Sequence, residues 1–399
     1  MDTDRRVSAR AGPAAAARLA WIDDLRIIGC VAIVLFHAAY AYSLPGSWWY
    51  VVDPAQAPAI HPILAVLRPF ALGLFFLAAG YLAPGAIGRR GIKGFLEERL
   101  IRLGIPLPIG LLLVFPVILY AFYLNFRTHG PIDFITYYWR VYLGVGGLRP
   151  QGWSGPIWPD TQFGHLWFLE LLLVYSGLYA LWRRLKPLPP HPVERPLPHP
   201  FDAVILIVAV GHLDFLVRIH YPLYSWRPGL GVLQLHPADL PREAACFFLG
   251  ALAATRGWVR QLPASLGPRA LLAGSLAVAG FLAAEWAGIP VFIRGGTTGI
   301  HAWLFAIGET AVLAALALGL VVWLRDHTGT PPAWRRLLAA NSYGVFLLHL
   351  PLIVLLNYAL LGLALNGWAK WLVVSALGLP LSLGASLLIR RSALVRRVV

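Results

Sequence analysis

Charge is what this sequence of 399 residues lacks: Asp, Glu, Lys and Arg make up 13% of it, against about 25% in soluble globular domains. With 58% hydrophobic residues beside so little charge, the composition excludes a water-soluble enzyme. Cysteine is nearly missing. The two present, Cys30 and Cys246, lie inside apolar runs, which excludes a disulfide framework and a CxxC metal pair, so no metal is expected. Acids are scarce as well, 18 against 33 Lys and Arg, leaving a net charge of +15. That surplus does not imply a nucleic-acid partner, because the basic residues stand in short clusters between apolar runs and no nucleic-acid motif accompanies them. HExxH, GxxxxGK[ST], GxSxG and a helix-opening GxGxxG are absent. Metalloprotease, P-loop, serine-hydrolase and Rossmann readings lose their support.

What is present is a set of apolar segments near the roughly 20 residues needed to cross a bilayer. They predict an all-α polytopic membrane protein with about ten spans: 21–43, 63–84, 101–123, 164–183, 201–219, 239–255, 270–287, 301–324, 338–362 and 369–389. Pro106, Pro108 and Pro116 interrupt the third, and the sixth is short and opens with Arg242 and Glu243. The Tyr- and Trp-rich stretch 132–147 has the composition of an interfacial segment. If both ends of the chain are cytoplasmic, 24 of the 33 Lys and Arg fall on the inside, as the positive-inside rule requires.

The remaining organisation follows from composition. The Ala-rich start is broken by Arg18 and runs straight into a span, so 1–20 reads as a cytoplasmic arm rather than a signal peptide. Residues 21–390 form one membrane domain, and 391–399 a short cytoplasmic tail. Between Pro187 and Pro200, seven prolines in fourteen residues cannot be helical and predict a semi-rigid cytoplasmic linker over 187–200.

Ionisable groups inside spans are costly and usually face a bundle interior or a wet cavity. Arg26 and His37 are eleven residues apart on the first span, a rotation within about 20° of three full turns and a rise of about 16 Å. They share one face, the arginine near the cytoplasm and the histidine at mid-membrane depth, and Asp23 is placed to hold the guanidinium at i,i+3. An interfacial anchor is the alternative for Arg26, and a structural hydrogen bond the alternative for His37. Ser342 and His349 are seven apart on the ninth span, which puts His349 at a depth comparable to His37, facing a shared cavity or bonding another helix. His165 and Glu170, five apart, point about 140° away from each other on a continuous helix. That argues against a base–carboxylate pair and leaves Glu170 a buried acid in need of a partner. Glu309 needs one too, and inter-helix ion pairs would serve both acids.

These residues carry a resemblance. Asp23, Asp24, Leu25 and Arg26, followed by Phe36 and His37, resemble the first span of acyltransferase family 3, whose signature is an arginine, ten residues and a histidine. The run Phe75 to Leu82, the string Arg99, Leu100, Ile101, Arg102, Leu103 with Pro106, the opening His165 to Leu169, and Ser342, Tyr343 with Leu348, His349 are similar to later motifs of that family. Ala79 stands where the family commonly has serine, and Asp24 where it commonly has glycine.

The resemblance implies an enzyme of the bacterial inner membrane. It would move a short acyl group, acetyl or succinyl-like, from cytoplasmic acyl-CoA as co-substrate to a hydroxyl of a glycan or lipid-linked acceptor. Arg26, with Arg99 and Arg102, would grip the donor phosphates. His37 would be general base or acyl carrier, with His349 and Glu170 supporting the cavity. Short ends make the chain similar to the stand-alone glucan and polysaccharide modifiers of the family. A transporter or lipid flippase would also use buried charges and ten spans, but its mark, paired broken helices in related halves, is not found. A purely structural membrane protein would not require Arg26 and His37 on one face.

Overall fold

The computed structural model describes residues 13–43, 48–153, 157–188, 194–223, 225–229, 233–291 and 298–399. Its long helices are α1 (Pro13–Ser43), α2 (His61–Arg99), α3 (Phe115–Phe126), α4 (Trp167–Leu185), α5 (Pro200–His220), α6 (Leu240–Arg256), α7 (Leu266–Trp286), α8 (Ile300–His327), α9 (Ala333–Leu360) and α10 (Gly367–Ile389). Among the described residues the one sheet is an antiparallel ribbon of β1 (Arg227–Gly229) and β2 (Leu233–Leu235). The chain is an all-α, multi-pass membrane protein. In hydrocarbon a helix satisfies its backbone polar groups internally, so long apolar runs have this one solution.

Among the described residues, eight helical segments are long and apolar enough to cross a membrane. The 69-residue run Pro58–Phe126 contains both the second and third expected spans. The sixth expected span is α6, whose 17 residues fall short of the length of the others. The expected arm 1–20 is helical from Pro13, in line with α1, while 1–12 lie outside the described residues. So do 189–193 of the expected proline-rich linker, whose 194–199 form no helix.

Three departures from the expected spans have local causes. Helix α2 runs on to Arg99, bending at Gly91, whose φ of 71° is left-handed backbone that suits glycine. The prolines of the third span remove backbone donors, and wide π-type turns at Leu100–Gly104 and Gly110–Val114 flank the short helix Pro106–Ile109. In 132–147, Asp133 caps a helical turn through the Thr136 amide at 3.0 Å, and Tyr137 and Tyr142 are buried rather than spread along an interface.

The bundle is centred on α1, which packs against α2, α8, α9 and α10. Helix α2 lies along α6 at unusually close range. A Cβ on Gly80 would stand 1.9 Å from the Phe247 carbonyl oxygen, and one on Gly250 would stand 2.3 Å from that of Leu77. Apolar helices gain little from leaving lipid, so such small-residue contacts, with dispersion and hydrogen bonds, drive their association. Beside this crossing the Phe76 and Phe168 rings pack tilted at 4.7 Å and those of Phe168 and Phe346 at 5.2 Å.

Candidate active site

Three elements bring three histidines together. His37 lies in the second half of α1 and His349 near the middle of α9, while His165 sits on the 3-10 turn Gly164–Leu166 that opens α4. Their ring centroids are 5.0 Å apart for His37 and His349, 4.8 Å for His165 and His349, and 6.3 Å for His37 and His165. His37 Nδ1 is 3.0 Å from His349 Nε2 and 3.1 Å from the Ile33 carbonyl oxygen. His349, fully buried, has Nδ1 2.7 Å from the Phe346 carbonyl oxygen.

Donor bookkeeping assigns the hydrogens. A carbonyl oxygen only accepts, so His349 carries its hydrogen on Nδ1 and presents a lone pair at Nε2. His37 Nδ1–H donates to that lone pair and to Ile33. The remaining His37 nitrogen, Nε2, is then an unprotonated lone pair, and His37 lines a cavity of about 130 Å³. Since one water needs about 10–15 Å³ on this measure, the cavity admits a ligand group rather than a lone solvent molecule.

The cavity wall is aromatic with a few polar groups. Trp49 stacks on His37 at 5.8 Å and 17°, and Trp48, Trp167 and Trp226 line the same space. The segment bearing Trp48 and Trp49 is held by Asp53, whose carboxylate takes two hydrogen bonds from Lys370 Nζ at 2.8 and 3.0 Å, both residues being buried. On the other side Gln234 of β2 donates from its side chain to Thr161 O at 2.6 Å, and its Oε1 accepts from the Phe163 amide at 2.8 Å. Its backbone N–H donates to Glu170 Oε2 at 3.2 Å.

Glu170 therefore supports the ribbon rather than a histidine, and His165, whose Nε2 faces the Leu347 carbonyl oxygen at 3.2 Å, has other partners. The opposed orientation of an i,i+5 pair appears in the structure as two separate bonding sets. Glu309 has the inter-helix partners it needs, Arg218 and Arg242, each at 2.7 Å.

Those pairs belong to a buried knot between α5, α6 and α8. Arg242 also reaches Asp214 at 3.2 Å and Asp239 at 2.6 Å, Arg218 reaches Asp239 at 2.9 Å, and Arg68 reaches Asp239 at 2.6 Å. His236 Nδ1 lies 3.1 Å from Asp239, and its Nε2 accepts from Arg68 Nη1 at 3.4 Å. Burial holds the His236 imidazole below its ordinary pKa, so it takes its neutral form. Arg68 and His236 line the cavity. Sequence reasoning missed this pair, although Arg68, Asp214 and Arg218 fall inside expected spans and carry the same intramembrane-charge signal as Arg26.

The arginine-rich end of the bundle is separate. Arg26 donates to Asp23 at 3.2 Å and lines neither the histidine cavity nor the cleft below it. That open cleft is bordered by Arg90, Arg102, Arg390, Arg396 and Arg397, with Glu97 and Glu98 among them. Arg102 also lies over the Tyr343 ring at 5.5 Å, and the Tyr343 hydroxyl donates to the Arg102 carbonyl. Arg99 sits over Phe95 at 5.1 Å, away from the cleft. Of the three expected donor residues the structure puts one, Arg102, on the cleft wall. Asp24 accepts from Arg335 Nε at 3.1 Å and from Thr328 at 2.8 Å, tying α1 to the first turn of α9 and to the loop that precedes it.

A family model described as an acyltransferase domain matches residues 19–391, nearly the whole chain. The chain belongs to acyltransferase family 3. It is accordingly an enzyme that transfers acyl groups, built as a membrane acyltransferase. No curated protein and no solved structure matches the chain. Among the described residues of this acyltransferase no group of three or more His, Cys, Asp or Glu is arranged to hold a metal ion.

Proposed function

We propose that this acyltransferase moves a short acyl group, acetyl or succinyl-like, from acyl-CoA at its arginine-rich end to a hydroxyl of a glycan or lipid-linked envelope acceptor in the histidine cavity. The observation that carries the reading is His37 on the cavity wall with its Nδ1 3.0 Å from His349 Nε2, which leaves Nε2 as the nitrogen free to accept a proton. The acceptor hydroxyl gives its proton to Nε2 as its oxygen attacks the thioester carbonyl. The carbon–sulfur bond breaks, and the departing thiolate takes the proton from the imidazolium. His349 Nε2 accepts from Nδ1–H throughout, so it orients the ring and stabilises its charged form, as a carboxylate does in a serine-protease triad. The same lone pair suits a nucleophile that carries the acyl group before the acceptor arrives; trapping of acyl-His37 after acid quench separates the two.

The aromatic wall supports a sugar-like acceptor, since indole faces give wide apolar contact while their edges leave polar groups free. Arg102 and the neighbouring cleft arginines are suited to donor phosphates through charge-assisted bonds. Arg26 and Arg99 supply further positive charge at that end, which in this reading is the cytoplasmic face of a bacterial inner membrane. The domain boundaries follow: a cytoplasmic arm over 1–20, the membrane domain over 21–390 with the linker 187–200, and the tail 391–399.

The test is release of free thiol from acyl-CoA by purified protein in liposomes, wild type beside His37→Ala. The expected loss is about 10²- to 10⁴-fold, the usual worth of a general base. Equal release by both proteins sinks the mechanism. Absence of release and of CoA binding together moves the assignment to a transporter.

A further inference from the structure

The three clustered rings hold six nitrogens, and the bonds already given account for four. His349 Nδ1–H donates to Phe346, His349 Nε2 accepts from His37 Nδ1–H, and His165 Nε2 faces the Leu347 carbonyl oxygen at 3.2 Å. A carbonyl cannot donate, so His165 carries its hydrogen on Nε2 and has a lone pair at Nδ1. That nitrogen is buried with no hydrogen-bond partner. His165 is 6% exposed and its ring lines the same cavity as His37, 6.3 Å from it.

A buried acceptor without a donor is costly and rare in native proteins. Three polar side chains of the cavity wall are engaged with other partners: Gln234 with Thr161, Gln162 with Asp160 at 3.4 Å, and Arg68 with Asp239 and His236. A hydroxyl that enters the cavity supplies a donor that His165 Nδ1 can accept. One cavity thus holds two neutral-imidazole lone pairs, one at His37 and one at His165.

We propose that His165 determines acceptor specificity. Its Nδ1 accepts a hydrogen bond from a second hydroxyl of the acceptor while the first donates to His37 Nε2, so the cavity selects polyhydroxylated acceptors over mono-alcohols. This deepens the acyltransfer reading above and rests on it.

The experiment uses the full chain in liposomes with acetyl-CoA and two probes of one ring size, cyclohexanol and the trans vicinal diol of cyclohexane. Ester formation is read by mass spectrometry and thiol release in parallel. Two variants divide the roles of the ring. In His165→Gln the amide nitrogen takes the place of Nε2–H and keeps the bond to Leu347 but offers no acceptor at the Nδ1 position. In His165→Asn the amide oxygen stands near Nδ1 and restores one.

Wild type is expected to favour the diol by roughly tenfold in kcat/KM, the worth of one hydrogen bond to a buried acceptor. His165→Gln is expected to lower kcat/KM for the diol by roughly tenfold more than for cyclohexanol, and His165→Asn regains part of that difference. Equal treatment of the two probes by wild type overturns the proposal, as does a His165→Gln loss that is the same for both. Where wild type releases thiol but esterifies neither probe, inhibition of that release by the diol alone, absent in His165→Gln, is the supporting result, and its absence overturns the proposal. No His37-dependent thiol release in any condition is a different failure, that of the acyltransfer reading itself, and the specificity assignment falls with it.

Discussion

The histidine cluster and the arginine–carboxylate knot are both buried in one bundle, yet they differ in what they leave unspent. In the knot, Arg68, Arg218 and Arg242 face Asp214, Asp239 and Glu309 at 2.6–3.2 Å, and the charges cancel inside the protein. Among the histidines the bonds are neutral and two lone pairs remain on a cavity wall. Burial of polar groups therefore does not by itself mark a reactive site. What distinguishes the two is that the knot is closed by ion pairs between its own side chains, whereas the histidine cluster turns its acceptors onto a cavity wall. The knot reaches the cavity at one place, through Arg68 and His236, and there it shapes the wall.

Breaking the knot is expected to have the largest effect on folding. Asp239→Ala takes one carboxylate partner from each of three arginines and should cost about 3–5 kcal/mol, the usual result of removing one partner from a buried pair, seen as loss of folded yield and a lower Tm in detergent. His349→Ala, which empties a buried site without removing a charge partner, is expected to lower Tm less than Asp239→Ala does and to slow thiol release about 30-fold, or ~2 kcal/mol in transition-state stabilisation. A variant at Asp239 that keeps its Tm but loses activity, or one at His349 that unfolds, erases the distinction between the two clusters.

Arg102→Ala tests the far end of the molecule. It should raise KM for acyl-CoA roughly tenfold, the scale of a charge-assisted hydrogen bond, with KM for the acceptor unchanged. Arg26→Ala is expected to weaken CoA binding in the same direction. A CoA titration unaffected by either removes that end from donor binding. The smallest effect belongs to Glu170→Gln, because the amide oxygen can still accept from the Gln234 N–H; stability should shift by less than about 0.5 kcal/mol. A loss of rate as large as that of His349→Ala would move Glu170 from the support of the ribbon into the chemistry.

Much of this architecture is legible in local pattern. Apolar runs of span length located the helices, the prolines at 106, 108 and 116 marked where the third span departs from regular geometry, and the spacing of Arg26 and His37 put both on one helix face. The reach of α2 past residue 84 was not legible, because an extension that carries Arg89, Arg90, Lys93, Glu97, Glu98 and Arg99 lacks the apolar signal by which spans are read. Nor was the partner of Glu170, an amide of a ribbon whose strands are three residues each, too short to show alternation.

The sequence by itself determined the class of protein, the rough position of its spans, the arginine-rich end, and His37 and His349 as deep polar residues on separate helices. Those properties depend on composition and on spacing within one helix, where 1.5 Å of rise per residue fixes relative position. The tertiary structure decided that the two histidines meet across 312 residues, that His165 joins them, that Glu170 turns to Gln234, and that Arg68 and His236 wall the cavity. Such facts depend on which helix faces pack together. That choice is made by close approaches such as Gly80 against Phe247 and by buried bonds such as Lys370 to Asp53, each joining residues that no local pattern connects.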